Sequence, residues 1–513
     1  MKQKSVIEFK VSDYTLIDQY CEVKLNGYRI ENTSNEYSKY IDILKKASDK
    51  IDGGIRNKSS DSNKEPYLRV NINSRSKNQE TKLINWDLRM INGFVGVVNV
   101  EDNVLIPGKE NEGIKSVSIK ITIKSRFDED SPFFLFWLLE QKLPKFHDWN
   151  VPMSYYELFD YLLVALFVNQ LKVISQFGLY RTYQHFERND EQLKGTINFT
   201  KHIKLNMGLN NGNIAYSFRE NTCDNGINHL ILHAYNYLCK NYSNYARLII
   251  DRDKVANQMI SNIKLSAVSF NDTNIKEVLA KTLKPISHPY YKSYESIRKT
   301  SIMILRKLGI SMFGNEDEYV QGILYYVPDL WEDCLEKYIA LNVNFKFEAQ
   351  EKVMYLAKDN AYEKNMIFKN KSYPDFVFYN RINNESDAAF YVMDAKFKPR
   401  WIEVARYGKL NSDYLQEDYN KCIRDMDNLN AKSAGVIFPV RYDEVKLRNK
   451  QTDSLFSYRR SERNSGYFDC VPIYIPEIDN MEYEDWKTKF SDEIIDSMKN
   501  INKLLDERAK CFK

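Results

Sequence analysis

Apolar and polar residues alternate strictly through IKSVSIKITIK (114–124), the period of a strand with one face buried. Just upstream, GFVGVVNVEDNVLIPGK (93–109) reads as a hairpin turning at Glu101-Asp102-Asn103. Residues 1–50 mix a strand-like start with a helical tail, and DGGIRNKSSDSNKEP (52–66) has the composition of a mobile loop. Past DEDSP (128–132) the apolar spacing becomes helical, in FFLFWLLEQKL, SYYELFDYLLVALFVNQLKVISQ and NGINHLILHAYNYLCKNY (225–242), and helices are expected to about residue 310. The last third alternates again. A helix, VPDLWEDCLEKYIALNV (327–343), precedes two short apolar runs in YPDFVFYNRINNESDAAFYVMDAKFK (373–398). Then come a helix, QEDYNKCIRDMDNLN (416–430), and a buried strand, SAGVIFPV (433–440). That order is an α/β core. The closing SDEIIDSMKNINKLLDERAK is an amphipathic helix with Ser491 as N-cap and apolar residues at 494, 498, 501 and 505, expected to pack on its own core. The pattern predicts a multidomain α+β chain: a β-rich N-terminal domain (1–129), a helical middle domain (130–325) and a C-terminal α/β domain (326–513).

Composition narrows this only slightly. The chain has 513 residues and a net charge of +4, compatible with nucleic acid without demanding it. Its seven cysteines form no CxxC pair, which argues against a zinc ribbon and for a reducing, cytoplasmic setting. The N-terminus has no apolar signal region, and the longest apolar run, LFDYLLVALFV (158–168), is too short to span a bilayer. IPGKENEG contains Gly-Lys but lacks the rest of a phosphate-binding loop, so nucleotide turnover is expected from another chain.

The chemistry concentrates in the 373–398 hairpin. Residues i and i+2 of a strand share a face, so Asp394 and Lys396 project together. Symmetric pairing about Asn384 and Glu385 sets Asp375 opposite Asp394. Two carboxylates that close repel, and a divalent cation with a taste for hard oxygen, Mg²⁺, relieves them. The lysine can position or deprotonate a water, or stabilise charge developing on a phosphate. These are the needs of phosphodiester hydrolysis. A surface hairpin with a simple salt bridge is the bland alternative, and the apolar FVF and FYVM around the acids argue against it. Weaker signals are His229 and His233 at i, i+4, the basic and aromatic stretch 441–463, and a turn at Gly195 in LKGTINF.

Pro374-Asp375 followed by Asp394-x-Lys396 resembles the PD-(D/E)xK nuclease superfamily. That likeness implies a restriction-endonuclease-like core and a glutamate on the preceding helix. Glu332 in LWEDCLEKYI is the choice, and Glu336 the alternative. FGLYRTYQHFERNDEQLKGTINF (177–199), ENTCDNGINHLILHAYNYL (220–238), GVVNVEDNVLIP and EDYNKCIRDMDNLNAKSAGVIFP (417–439) resemble successive blocks of the McrC family, the nuclease subunits of McrBC restriction systems, including the LlaJI-type branch. Lys421, Arg424 and Asp425 stand where that family commonly carries a Gln/Tyr pattern, and the branch stays open. The resemblance implies a Mg²⁺-dependent DNA endonuclease subunit of a foreign-DNA defence system, with Mn²⁺ as a substitute metal. Asp375, Asp394 and Glu332 would hold the metal, with Lys396 catalytic. It implies a McrB-like AAA+ GTPase hexamer as the partner that uses GTP, and pairing of two complexes for double-strand cleavage. A stand-alone nuclease and a non-cleaving activator of the motor are the other readings. The intact Asp375, Asp394 and Lys396 set argues against the second.

Overall fold

A computed structural model describes residues 5–34, 36–56, 67–71, 82–109, 113–129, 131–141, 155–207, 212–242, 246, 249–250, 252–306, 319–349, 374–382, 385–407, 413–441, 455–459, 466–478 and 481–512. The first sheet joins β1 (Ser5–Ser12), β2 (Glu22–Leu25), β3 (Tyr28–Ile30), β4 (Tyr67–Asn71), β7 (Phe94–Leu105), β8 (Ile114–Lys124) and β12 (Tyr319–Tyr326) in the order β3-β2-β1-β8-β7-β12-β4. Two short strands, β5 (Ile84–Asn85) and β6 (Met90–Ile91), pair beside it. The alternation in β8 emerges as expected: Val117, Ile119, Ile121 and Ile123 are buried beneath the helix-covered face. That face also takes Tyr40, Leu44, Ala47 and Ile51 of the helix Tyr37–Arg56 into the same core. This helix runs into the segment read as a loop, whose residues 57–66 lie outside the described ones.

The hairpin turn expected at 101–103 is not there. β7 continues through it, with Glu101, Asp102 and Asn103 opposite Ser118, Val117 and Ser116. Buried Asp102 is tolerated in the strand because Lys50 reaches it at 2.8 Å. The chain reverses further on, between Leu105 and Ile114, where Gly108 and Gly113 adopt φ of 76° and 71°.

The middle segment is not wholly helical either. Between the helices Tyr155–Ser175 and Gly226–Asn241 stands an antiparallel sheet of β9 (Thr182–Asp190), β10 (Thr196–Ile197) and β11 (Ile214–Thr222), ordered β10-β11-β9. Gly195 makes its turn at φ 94°, where a Cβ would come within 2.5 Å of the Ser217 carbonyl oxygen. The segment expected as the end of the middle domain returns to the first sheet: β12 pairs antiparallel with β7 and parallel with β4. The division expected at 325/326 therefore follows chain position and not sheet membership.

The C-terminal sheet is ordered β13-β14-β15-β16-β18-β17, from β13 (Lys346–Ala349), β14 (Phe376–Ile382), β15 (Glu385–Ala395), β16 (Ser433–Arg441), β17 (Phe456–Arg459) and β18 (Tyr467–Ile475). β15, β16 and β18 run parallel, and both outer sides are antiparallel. The helix Asp413–Asn428 covers one face, packing Leu415, Cys422 and Met426 on Val392, Val436 and Phe438. The helices Val327–Asn342 and Tyr483–Phe512 cover the other. The last helix begins at Tyr483, not at Ser491, because Tyr483, Trp486 and Phe490 extend its apolar stripe backwards into the core. Among the described residues no helix is long and apolar enough to cross a membrane.

Candidate active site

The hairpin β14–β15 keeps the register expected from its symmetry at its open end: Phe376 faces Met393, Val377 faces Val392 and Phe378 faces Tyr391. Irregularities beyond Phe378 shift only the far end. Asp375, just before β14, and Asp394, near the end of β15, consequently meet. The Asp375 amide donates to Asp394 Oδ1 at 3.3 Å, and the Ala395 amide donates to Asp375 Oδ2 at 2.8 Å. Both carboxyls are buried, at 4% and 1% exposure. The Lys396 amide is tied to the Ile437 carbonyl of β16 at 2.8 Å, and its ammonium pairs with Asp394 and lies 3.7 Å from Asp418. Burial pulls the Lys396 ammonium down, but Asp394 and Asp418 more than offset it and hold the group well above the usual lysine range.

Glu332 enters from the helix Val327–Asn342. Burial first, then the negative charges of Asp375, Asp394 and Asp329, push its carboxyl up to about 9. Glu336, one turn on, is exposed. Of the two expected alternatives, the structure brings Glu332 to the aspartates.

Lys421, on the helix Asp413–Asn428, sits 3.1 Å from Asp394 Oδ1 and 3.7 Å from Asp375 Oδ1. Sequence reasoning registered it only as a departure from a family pattern. Burial drives Asp375 up to about 7, reinforced by Asp394. Asp394 goes the other way: burial opposes its charge, but Lys396 and Lys421 hold it well below the usual carboxylate range. Asp418 and Asp425 complete the surroundings. One oxygen of Asp418 and both of Asp425 are buried without a hydrogen-bond partner. The sequence signal was their spacing: 418, 421, 422 and 425 share one helical face.

Among the described residues no three His, Cys, Asp or Glu side chains already stand as a metal site. The donor chemistry nevertheless suits a hard divalent cation: Asp375, Asp394 and Glu332 offer only oxygen. The carboxyls of Asp329, Glu332, Asp375, Asp394, Asp418 and Asp425 also outnumber the ammonium groups of Lys396, Lys398 and Lys421 among them.

The weaker signals resolve structurally. His229 pairs with Asp224 at 2.6 Å and His233 with Asn274 at 3.1 Å, so each ring has a local partner. Arg441 is spent on Glu129 at 2.8 Å and on the Arg126 carbonyl, while 442–454 and 460–463 of the basic stretch lie outside the described residues.

Fold and site together define a multidomain α+β protein with a buried carboxylate–lysine centre where a hairpin meets a parallel sheet. The family model for the McrBC 5-methylcytosine restriction system component matches residues 90–418, and the chain belongs to that family. The match spans Glu332, Asp375, Asp394 and Lys396 and ends short of Lys421. Among solved structures, a refined half-complex of Thermococcus gammatolerans McrB AAA+ hexamers with bound McrC aligns over 97% of this chain and 100% of that one, at 14% identity and a TM-score of 0.44. The Thermococcus gammatolerans McrBC complex aligns over 65% and 88%, at 12% identity and a TM-score of 0.29. No curated protein matches the chain.

Proposed function

We propose that this chain is the McrC-like nuclease subunit of an McrBC restriction system, cleaving DNA phosphodiester bonds at a PD-(D/E)xK centre. The observation that carries the reading is the meeting of Asp375, Asp394 and Lys396 at one buried point, with Glu332 close enough for both aspartates to act on it, inside the segment matched by the family. Asp375, Asp394 and Glu332 would hold Mg²⁺, or Mn²⁺ in its place. When bound, the ion would supply charge neutralisation and a more acidic water. Lys396 is held charged by Asp394 and Asp418. On this reading its role is to stabilise negative charge on the phosphate.

A McrB-like AAA+ GTPase hexamer is the partner on this reading, and GTP is turned over there. The chain carries no phosphate-binding loop. The segment before the nuclease domain exposes Tyr183, Leu193, Phe199, Ile203 and Met207 around β9–β11, an apolar surface suited to a protein partner. One centre cuts one strand, so double-strand breakage calls for two complexes brought together, acting on DNA in the cytoplasm. The test is plasmid cleavage in Mg²⁺ by the purified chain, with and without its motor partner and GTP, beside Asp394→Asn. Cleavage that needs the partner and fails in the variant is expected. Efficient double-strand cutting by the chain alone moves the reading to a stand-alone nuclease, and wild-type cutting by Asp394→Asn ends the site assignment.

A further inference from the structure

Asp425 lies one helical turn beyond Lys421, on the same face of the helix Asp413–Asn428. It is 1% exposed, and neither oxygen accepts a hydrogen bond. Its ion pair with Arg424 is long, 3.9 Å, to a side chain that is half exposed. Lys421, Asp394, Arg424 and Lys396 are the charged groups that act on it. A buried carboxyl left this way is costly, and natural chains rarely keep one without a use.

Lys421 poses the converse difficulty. Its ammonium is within 3.1 Å of Asp394 and 3.7 Å of Asp375. A divalent cation held between those two carboxylates would take the position that Lys421 bridges, whereas Lys396 pairs with Asp394 and is held on its other side by Asp418, so Lys421 is the ammonium that must give way. Lysine has a flexible four-carbon stem, so its head can move several ångströms without any shift of the helix. Two carboxyls flank Lys421 on the same helical face: Asp418, already paired with Lys396 and Lys398, and the i+4 carboxyl of Asp425, where both oxygens lack a hydrogen-bond partner, so Asp425 is the open acceptor.

We propose that Lys421 is a displaceable counter-ion. Its ammonium holds Asp375 and Asp394 side by side, and when a divalent cation binds it crosses to Asp425. The inference rests on the cation reading given above. Asp425 is then a positioning residue that acts through Lys421 and touches neither cation nor DNA. Both residues lie beyond the segment matched by the family, which ends at 418.

The test is calorimetric titration of the full-length chain with Mn²⁺, without DNA, on Lys421→Met, Asp425→Asn and the double variant. Melting curves establish that each is folded, and Lys421→Gln with Asp425→Ser repeats the cycle if one is not. Lys421→Met removes the competitor and should tighten Mn²⁺ binding about tenfold, the scale of one charge-assisted hydrogen bond. Asp425→Asn removes the destination and should weaken binding by about the same factor. In the double variant the Asp425 change should have no further effect, because there is no ammonium left to receive. Equal weakening by Asp425→Asn in both backgrounds would make Asp425 a ligand and overturn the proposal. So would weaker binding in Lys421→Met. Asp394→Asn separates the two levels: if it binds Mn²⁺ as wild type does, or if no variant binds at all, the cation reading falls and this one with it.

Discussion

Removing the Asp469 carboxylate should loosen the C-terminal helix from its sheet while sparing the acidic site. Asp469, on β18, is fully buried. Arg508 of the last helix grips it in a fork, Nη2 to Oδ1 at 2.7 Å and Nε to Oδ2 at 3.1 Å. The Tyr391 hydroxyl donates to Oδ2 at 3.0 Å, and the guanidinium lies 3.8 Å over the Tyr467 ring. In Asp469→Ala the arginine stays buried without its partner, a loss of about 3–5 kcal/mol. Unfolding entropy scales with chain length, so with the core shared along the whole chain each kcal/mol moves the midpoint by about 1 °C, and the melting transition should fall by about 3–5 °C. Replacing both partners, as Asp469→Leu with Arg508→Met, should recover most of that, because the desolvation penalty goes with the pair. Tyr391 and Asp394 are three apart on β15 and point to opposite faces, so folded Asp469→Ala protein should keep its cleavage rate well below the transition. Scanning fluorimetry reads the stability. A single variant melting within about 2 °C of wild type would refute the clamp, and so would a double variant no better than the single.

Other outcomes follow from the same geometry. Asp375→Asn, Asp394→Asn and Glu332→Gln should each abolish Mg²⁺-dependent cleavage with circular dichroism unchanged, and Lys396→Ala should slow it by about 10²–10³, the usual loss of one charge-stabilising donor; a folded variant cutting at the wild-type rate removes that residue from the site. Burial holds His233 below the ordinary value of 6.5, so the folded state favours its neutral ring. The stability this gives is present above pH 6.5 and lost as pH falls below it, and His233→Gln should flatten that acid-side decline in melting temperature; an unchanged slope counts against it. Gly322→Ala would drive a Cβ to 2.3 Å from the Val97 carbonyl oxygen, so the β7–β12 pairing should weaken by about 1–3 kcal/mol, read as faster hydrogen exchange in both strands.

Much of the site was legible because it is local. The polar centre of one hairpin fixed a register that carried Asp375 to Asp394, and the period of two put Lys396 beside them. β8 was legible for the same reason, since a half-buried strand writes its burial into its own alternation. What was misread depends on distant residues. β7 was cut short at Glu101-Asp102-Asn103 because the sequence does not say that Lys50 will neutralise Asp102. The middle sheet escaped notice because β9, TYQHFERND, has no residue that is fully buried, so its alternation carries little apolar contrast. Lys421 and Asp425 gained meaning only once the helix Asp413–Asn428 was laid over the end of β15, a tertiary event that no spacing rule encodes.

The expected boundary at 325/326 is also a poor place to divide the chain. Helix Phe133–Glu140 has Phe133 through Leu139 buried, and its partners lie mainly in the last third. Phe133 meets Tyr483 and Trp486, Trp137 meets Phe490, and Phe134 meets Trp331 and Phe397. Polar contacts repeat the pattern: Glu140 takes Lys487 at 2.8 Å and the Tyr483 hydroxyl at 2.9 Å. Arg126, just past β8, pairs with Asp13 at the end of β1 and donates to the carbonyl of Phe397, the residue after Lys396. Its guanidinium lies 4.3 Å over the Phe397 ring and 4.4 Å over Phe127. The strand end that carries Lys396 is thus braced by the first sheet. Cutting at 325 would strip the cover from seven consecutive buried apolar residues, Phe133 to Leu139, and leave Arg126 without half its partners, so a fragment's loss of function would report unfolding as readily as a missing activity. Point substitutions at Asp375 or Asp394 are the means to separate cutting from any effect on a motor partner, since they alter the centre without opening the shared core.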